Sequence, residues 1–408
     1  MSKINESEVD SLQTLAELIS EVMGSPVTIE DEAHRLLAYS MHDPNTDPAR
    51  IATIIGRRVP EHVQRALYES GAMQRLQDSA EPQHIEQLSE VGLSRRMAIS
   101  VRHYDEIVGY IWLLEYDGSY TDEQLEQFRQ GARIAAGQIM QQQRRQQHID
   151  LLRRLLSGRF QSEQEAAQQA RESGVELPAH HYVLLLEHDH QPDMSGWSER
   201  IVQAANEFAI RVTLHMQEPS RIVLLCGFGI TAVQARNANS DPAVLIRSMI
   251  TRARELLPQH EELYMAAGEQ VGSALHIQRS YRQARELVLL HRQLPETRTI
   301  HYYPEAGFYR YLPAMHREAE QFPVTWGPLD RLAAYDQEHN SNLLQTLAVF
   351  LDLDSDTKRA ATQLHVHSNT LNYRLKRITE VGGIDLTSMS EKVTLYLELK
   401  LLWFDSSG

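Results

Sequence analysis

Between Ser368 and Ile378 the chain spaces polar and basic side chains as a nucleic-acid reader would. At 100° per residue, Leu371, Leu375 and Ile378 fall together and predict a helix with a core face. Asn369, Tyr373 and Lys376 fall on the opposite face, flanked by Thr370, Asn372 and Arg377, and Ser368 is placed to cap the helix. Asparagine can pair with adenine, arginine or lysine with guanine or phosphate, and hydroxyls with phosphate. The expected partner is therefore a double-stranded DNA operator, contacted by Ser368, Asn369, Thr370, Asn372, Tyr373, Lys376 and Arg377. Arg374 lies nearer the core side of the wheel, where an internal ion pair is expected instead of a DNA contact. Residues 356–378 hold five basic side chains and one acid, a local net of +4. The rival reading is a small helical lid with a solvated face.

The rest of the chain has the opposite charge. Its 408 residues carry 40 basic and 55 acidic side chains, a net of -15. That excludes a uniformly basic nucleic-acid coat and a protein held on anionic lipid by charge. Setting residues 356–378 aside leaves -19 on the other 385, so the acidic bulk should repel DNA while one short basic helix pair engages it. A single cysteine, Cys226, excludes an internal disulfide and zinc sites of the two-Cys or four-Cys type. It sits in an apolar run and reads as a buried, inert thiol. No run approaches the ~18–20 apolar residues of a membrane helix. The first residues lack a basic start with an apolar core, so no secretion signal is visible and a cytoplasmic location is expected.

Other chemistry is not expected. His180 and His181 abut the start of a strand and His188 and His190 its end, ~23 Å apart on an extended chain, so no metal site is expected from all four. Gly227 to Ala232 fits G-x-G-x-x-A loosely, but residues 236–242 read as loop where a dinucleotide site needs a helix. No Ser/His/Asp arrangement can be assembled. Neither catalytic residues nor a cofactor are predicted.

The elements follow from periodicity. Residues 8–25 read as an amphipathic helix, followed by strands Pro26 to Glu30 and Leu36 to Tyr39. Residues 95–102 and 107–115 read as a hairpin. Thr121 and Gln124 form a capping box that opens a helix to about 157. Its centre, Gln138 to Gln147, holds six glutamines with only a thin apolar stripe, which suits either a solvated connector or a dimer-forming helix. Beyond it, strand 181–187, helix 197–211, hairpin strands 212–216 and 221–226, helix 243–257, strand 264–268 and helix 273–291 suggest a sheet with helices on one side. Residues 341–404 contain only helices. Thr357 to Leu364, the turn His365-Val366-His367 and the helix from Asn369 to about Val381 make a helix-turn-helix.

The run Leu-His-Val-His-Ser-Asn-Thr-Leu-Asn-Tyr-Arg-Leu-Lys-Arg-Ile (364–378) resembles the signature of the PucR/CdaR family of bacterial transcriptional regulators. Gly-Ile-Asp-Leu (383–386) and the following helix also fit. The resemblance implies a multidomain α+β chain: a GAF-like sensor over 1–130, a linker or dimerisation helix over 131–158, and a degenerate GGDEF-like α+β domain over 159–310. A connector over 311–340 and an all-α helix-turn-helix domain over 341–408 would follow. Regulators of amino-acid catabolism, proline utilisation among them, are the nearest likeness. The implied function is a ligand-responsive regulator, an activator of a catabolic operon, working as a homodimer or higher homo-oligomer. A purine or sugar-acid effector is the alternative. A cyclase or a protein-binding scaffold is less favoured, because the hairpin turn reads Gln217-Glu218-Pro219-Ser220-Arg221, without the glycines and paired acids a diguanylate cyclase needs. In the GAF-like part, Arg57, Arg58 and Arg96 are candidates to hold an effector carboxylate, and Tyr39 and Tyr104 to line its pocket.

Overall fold

The computed structural model describes residues 4–5, 9–40, 46–116, 120–190, 194–228, 241–257, 263–321 and 327–405. Of the sequence readings, residues 1–3 and most of the 227–242 segment lie outside the described residues. The chain divides into two compact units, residues 1–147 and 148–408.

The first unit is built on a five-stranded antiparallel sheet in the order β2-β1-β5-β4-β3. These strands are β1 (Val27–Asp31), β2 (Leu36–Tyr39), β3 (Gln83–Ile85), β4 (Arg96–His103) and β5 (Glu106–Leu114). The central strands are buried on both faces and alternate between two cores. Ile29, Ile99, Ile111 and Leu113 pack with α1 (Leu12–Met23) and the start of a long helix, α5 (Asp122–Leu156). Ala98, Tyr110 and Trp112 pack under α2 (Pro48–Gly56), α3 (Glu61–Glu69) and α4 (Ala72–Asp78). Helix α5 opens as predicted: the Gln124 amide donates to Thr121 Oγ1 at 3.2 Å, and the Thr121 amide to Gln124 Oε1 at 3.0 Å. Gln141, Gln142 and residues 144–147 at its centre are exposed.

The second unit begins with the last turns of α5 and α6 (Glu163–Glu172). Its sheet runs β7-β8-β6-β9, all neighbours antiparallel. It comprises β6 (Tyr182–His188), β7 (Ile210–Glu218), β8 (Arg221–Phe228) and β9 (Leu263–Ala267), with α7 (Trp197–Glu207), α8 (Pro242–Leu256) and α9 (Ile277–Gln293). Helices cover both faces, not one. Val183 and Leu185 meet α5, α6 and α9, whereas Tyr182, Leu184 and Leu186 meet α7 and α8. The unbroken apolar run of β6 is the reason, since a strand covered on both sides has no polar face. The helix expected over 197–211 ends at Glu207, because Ala209 takes a left-handed φ of 54° and β7 starts at Ile210.

The remaining helices are α10 (Leu312–Gln321), α11 (Gly327–His339), α12 (Leu343–Asp352), α13 (Thr357–Gln363), α14 (Ser368–Gly382) and α15 (Met389–Asp405). Leu329 and Leu332 of α11 share a core with Leu347, Ile378 and Leu399, so this segment packs with the terminal helices. Helix α15 serves two cores. Leu395 and Leu399 join α11 and α12, while Leu401 and Phe404 join α9 and α10. Between them Lys400, 2% exposed, pairs with Glu296 at 2.9 Å and Asp352 at 3.0 Å. Among the described residues no helix is long and apolar enough to cross a membrane.

Candidate nucleic-acid interface and a buried pocket

Asp356 caps α13, its carboxylate accepting from the Lys358 and Arg359 amides at 2.8 and 3.1 Å. Those bonds hold its carboxyl below the ordinary range. His365, with φ of 55°, turns the chain. Helix α14 is then capped by His367, whose Nδ1 accepts from the Asn369 amide at 3.2 Å. Ser368 is therefore the first helical residue rather than the cap. A histidine acceptor lies outside the usual capping set, so composition could not show it. Gly383 closes the helix in the left-handed conformation.

Leu371 and Ile378 are fully buried and Leu375 half-buried, which fixes the rotation of α14. Ser368, Asn369, Thr370, Asn372, Tyr373 and Lys376 are all exposed, Tyr373 at 69%. Arg377 is placed differently. Its Nε donates to Tyr335 Oη at 3.1 Å, its guanidinium lies 4.8 Å from the Tyr335 ring centre, and Glu380 pairs with it at 3.0 Å. Arg374 Nη1 donates to Thr346 Oγ1 at 3.3 Å, an internal hydrogen bond where an ion pair was expected. The face can thus offer amides, hydroxyls, a phenol and the Lys376 ammonium, which has no ion-pair partner among the described residues, to a groove.

In the first unit, a narrow cavity of about 10 Å³, room for no more than about one water, lies between the sheet and α2–α3, lined by Glu30, Arg96, Trp112 and the aliphatic Val59, Val63 and Leu67. Arg96 Nη2 donates to both oxygens of Asp47 at 2.8 Å. Asp47 also caps α2, accepting from the Arg50 amide at 2.7 Å. Arg96 Nε, though buried, has no hydrogen-bond partner among the described residues. Trp112 Nε1 donates to Glu30 Oε2 at 3.0 Å, and His34 Nδ1 lies 3.5 Å from the same oxygen. Burial pushes the Glu30 carboxyl up, against the pull of His34, Arg96 and Trp112.

Of the five effector candidates only Arg96 lines this pocket. Tyr39 is half-buried on β2, at the edge of the sheet. Arg57 is the exposed left-handed cap of α2, and Arg58 is exposed beside it. Tyr104, 89% exposed, occupies the turn between β4 and β5. Sequence reasoning missed Glu30 and Trp112. The available signal was an acid in the strand-forming run Val27–Asp31, but its partner comes from a strand about 80 residues away, which no local pattern reveals.

The other chemistry-bearing groups are engaged locally. In the turn between β7 and β8, Glu218 lies 3.8 Å from Arg221, which pairs with Glu187 at 2.7 Å. His188 Nδ1 accepts from the His190 amide at 3.0 Å. Among the described residues no three metal-ligating side chains converge. Cys226 is buried, and burial pushes its thiol up to about 12.

Residues 343–401 match the PucR C-terminal helix-turn-helix domain, and residues 157–288 match the GGDEF-like domain. The DNA-binding transcriptional activator AdeR of Bacillus subtilis (strain 168) is 31% identical over 97% of this chain and 94% of its own. The proline-responsive transcriptional activator PutR of the same organism is 30% identical over 97% of both chains. The carbohydrate diacid regulator of Escherichia coli (strain K12) is 32% identical over 31% of this chain and 32% of its own.

Proposed function

The chain belongs to the PucR/CdaR family of bacterial transcriptional regulators, and from that premise we propose that α14 reads an operator while the pocket beneath Trp112 reads an effector. The observation that carries the first half is the exposed polar face of α14, set on a core that fixes its rotation and placed in the basic stretch of an acidic chain. Asn369, Asn372 and Tyr373 would meet base edges, and Ser368, Thr370 and Lys376 phosphates. Arg377, held by Tyr335 and Glu380, would reach a phosphate only from the rim. One such head buries little surface, so two copies on adjacent half-sites are proposed, with the exposed glutamine-rich stretch of α5 as the pairing segment. The chain would act in the cytoplasm as an activator and carry out no reaction of its own.

The test is a gel shift on the chain's own operator region. A Tyr373→Ala, Lys376→Ala double variant should lose binding while its thermal midpoint stays within about 1 °C of wild type, since surface changes seldom move stability much. An unchanged shift would overturn the assignment of α14.

For the effector, the pocket offers one buried carboxylate, one buried guanidinium with an unoccupied Nε, and aliphatic walls. The space between them holds about one water, so α2 and α3 would have to part to admit a ligand; the groups then exposed complement a small zwitterion, with ammonium at Glu30 and carboxylate at Arg96. Proline fits that description, as the name of the relative PutR suggests. Millimolar proline should raise the melting temperature of wild type but not of Glu30→Gln, which keeps an acceptor for Trp112. A shift given only by a sugar diacid or a purine metabolite would replace proline as the effector.

A further inference from the structure

A second cavity, about 470 Å³, opens on the other unit, at the β9 edge of its sheet near α8 and α9. Its wall carries Arg247, Arg254, Arg298, His291 and His301 around the ring of Tyr264, and no carboxylate is among the residues that line it. Among the described residues, the acids nearby are already committed. Glu305 takes Arg247 at 2.8 Å. Glu187 and Asp189 take Arg292 at 3.1 and 2.7 Å, and Glu187 also takes Arg221. Arg254 and Arg298 are left with backbone acceptors alone among the described residues: Arg254 Nη2 donates to the Leu263 carbonyl at 3.1 Å, and Arg298 Nε to the His291 carbonyl at 3.0 Å. Each carbonyl engages only part of a guanidinium fork, and neither guanidinium has a carboxylate partner among the described residues.

The surrounding groups register that field. Burial, with Arg254, Arg298 and His301 nearby, holds His291 down to about 4. Burial, Arg254 and Arg247 do the same to His301. In a chain of net charge -15, a concave site that gathers three arginines, of which only Arg247 has a carboxylate partner among the described residues, is suited to hold an anion. The cavity is large enough for a ligand well beyond a single water, and the Thr251 and Thr299 hydroxyls supply neutral partners on its rim.

We propose that this cavity binds a compact oxyanion carrying two or more charges, a phosphate ester or a polycarboxylate, clasped between Arg254 and Arg298 with Arg247 at the rim. Guanidinium forks match either group bidentately, and that shared chemistry defines the site. The site is separate from the pocket beneath Trp112 and does not depend on how that pocket is used. The turn that carries Arg298 also carries Glu296, the partner of Lys400 on the terminal helix, so an occupant would sit two residues from a contact of that helix.

The test uses the full chain and titrates pyrophosphate and citrate separately by calorimetry, with sodium chloride matching the ionic strength. One of the two should bind saturably below 1 mM, and which one does so assigns the ligand class. Arg298→Gln should weaken it about tenfold or more, the loss expected for one charge-assisted contact. Arg298→Lys should retain part of the affinity. Lys376→Ala should leave it unchanged, separating this site from the basic terminal helices. Saturable binding that Arg298→Gln leaves intact would overturn the proposal, as would the absence of binding by both anions. Circular dichroism of Arg298→Gln confirms that any loss is not unfolding.

Discussion

Two basic neighbours on α14 are set apart by their surroundings. Lys376 points to solvent, whereas Arg377 is stacked and hydrogen-bonded to Tyr335 of α11. Lys376→Ala should therefore reduce the slope of log affinity against log salt by about 1 through lost counterion release, with no change in folding. Arg377→Ala should weaken operator binding less than Lys376→Ala does, and should lower the thermal midpoint of the terminal helices, because it removes an internal contact. Equal binding losses in the two variants would show that Arg377 swings out to phosphate. His291 gives a prediction in pH. Its Nε2 donates to the Ile300 carbonyl at 2.8 Å, and burial holds it at about 4. The unfolded chain takes up that proton near ~6.5. Stability should therefore fall as pH drops from about 6.5 to 4 and then level, by roughly 3 kcal/mol for this residue. Urea midpoints across that window should be steeper for wild type than for His291→Asn, which can still donate to Ile300.

At the scale of the element, close approach sets the tolerances. Gly109 of β5 faces Asp31, and a Cβ there would press into the Glu30 carbonyl. Gly109→Ala should cost about 1–3 kcal/mol as β1 shifts, and should weaken effector binding by displacing Glu30. Leu371→Ala, in the small core with Phe350, Ala360 and Ala361, should cost about 2–5 kcal/mol and loosen α14. A thermal melt reads both. Much of this framework was legible in the sequence. The hairpin over 95–115, the capping box at Thr121 and Gln124, strand β6 and the three helices around His365 each rest on a short local pattern. What escaped was long-range. That Glu30 lies opposite Tyr110 and beside Trp112 depends on pairing β1 with β5. That helices cover both faces of the second sheet depends on where α7 and α9 return. The cap at His367 escaped for another reason: a ring nitrogen stands in for the usual hydroxyl or carboxylate. The exposed face of α14 was legible because a single helix carries it whole.

For the whole molecule, charge and shared packing matter most. An acidic chain with one basic head should bind non-specific DNA weakly, so raising salt from 50 to 200 mM should erode non-operator binding first and leave specific complexes for footprinting. Helix α15 stitches the terminal helices to the core around α9, and Lys400 holds acids from both sides. Lys400→Ala should destabilise by about 1–3 kcal/mol, because its partners are only partly buried and water would recover much of the loss. A single unfolding transition that moves as a whole would confirm that the two cores melt together. The buried thiol of Cys226 has a practical consequence. With its sulfur sealed in the sheet and shifted to about 12, the native chain presents no reactive thiolate among its described residues at neutral pH. A cysteine introduced at exposed Thr379 or Gln142 would then take a spin label or fluorophore alone, and the label-to-label distance in an assembled pair would measure how far apart two heads sit before and after effector and operator are added.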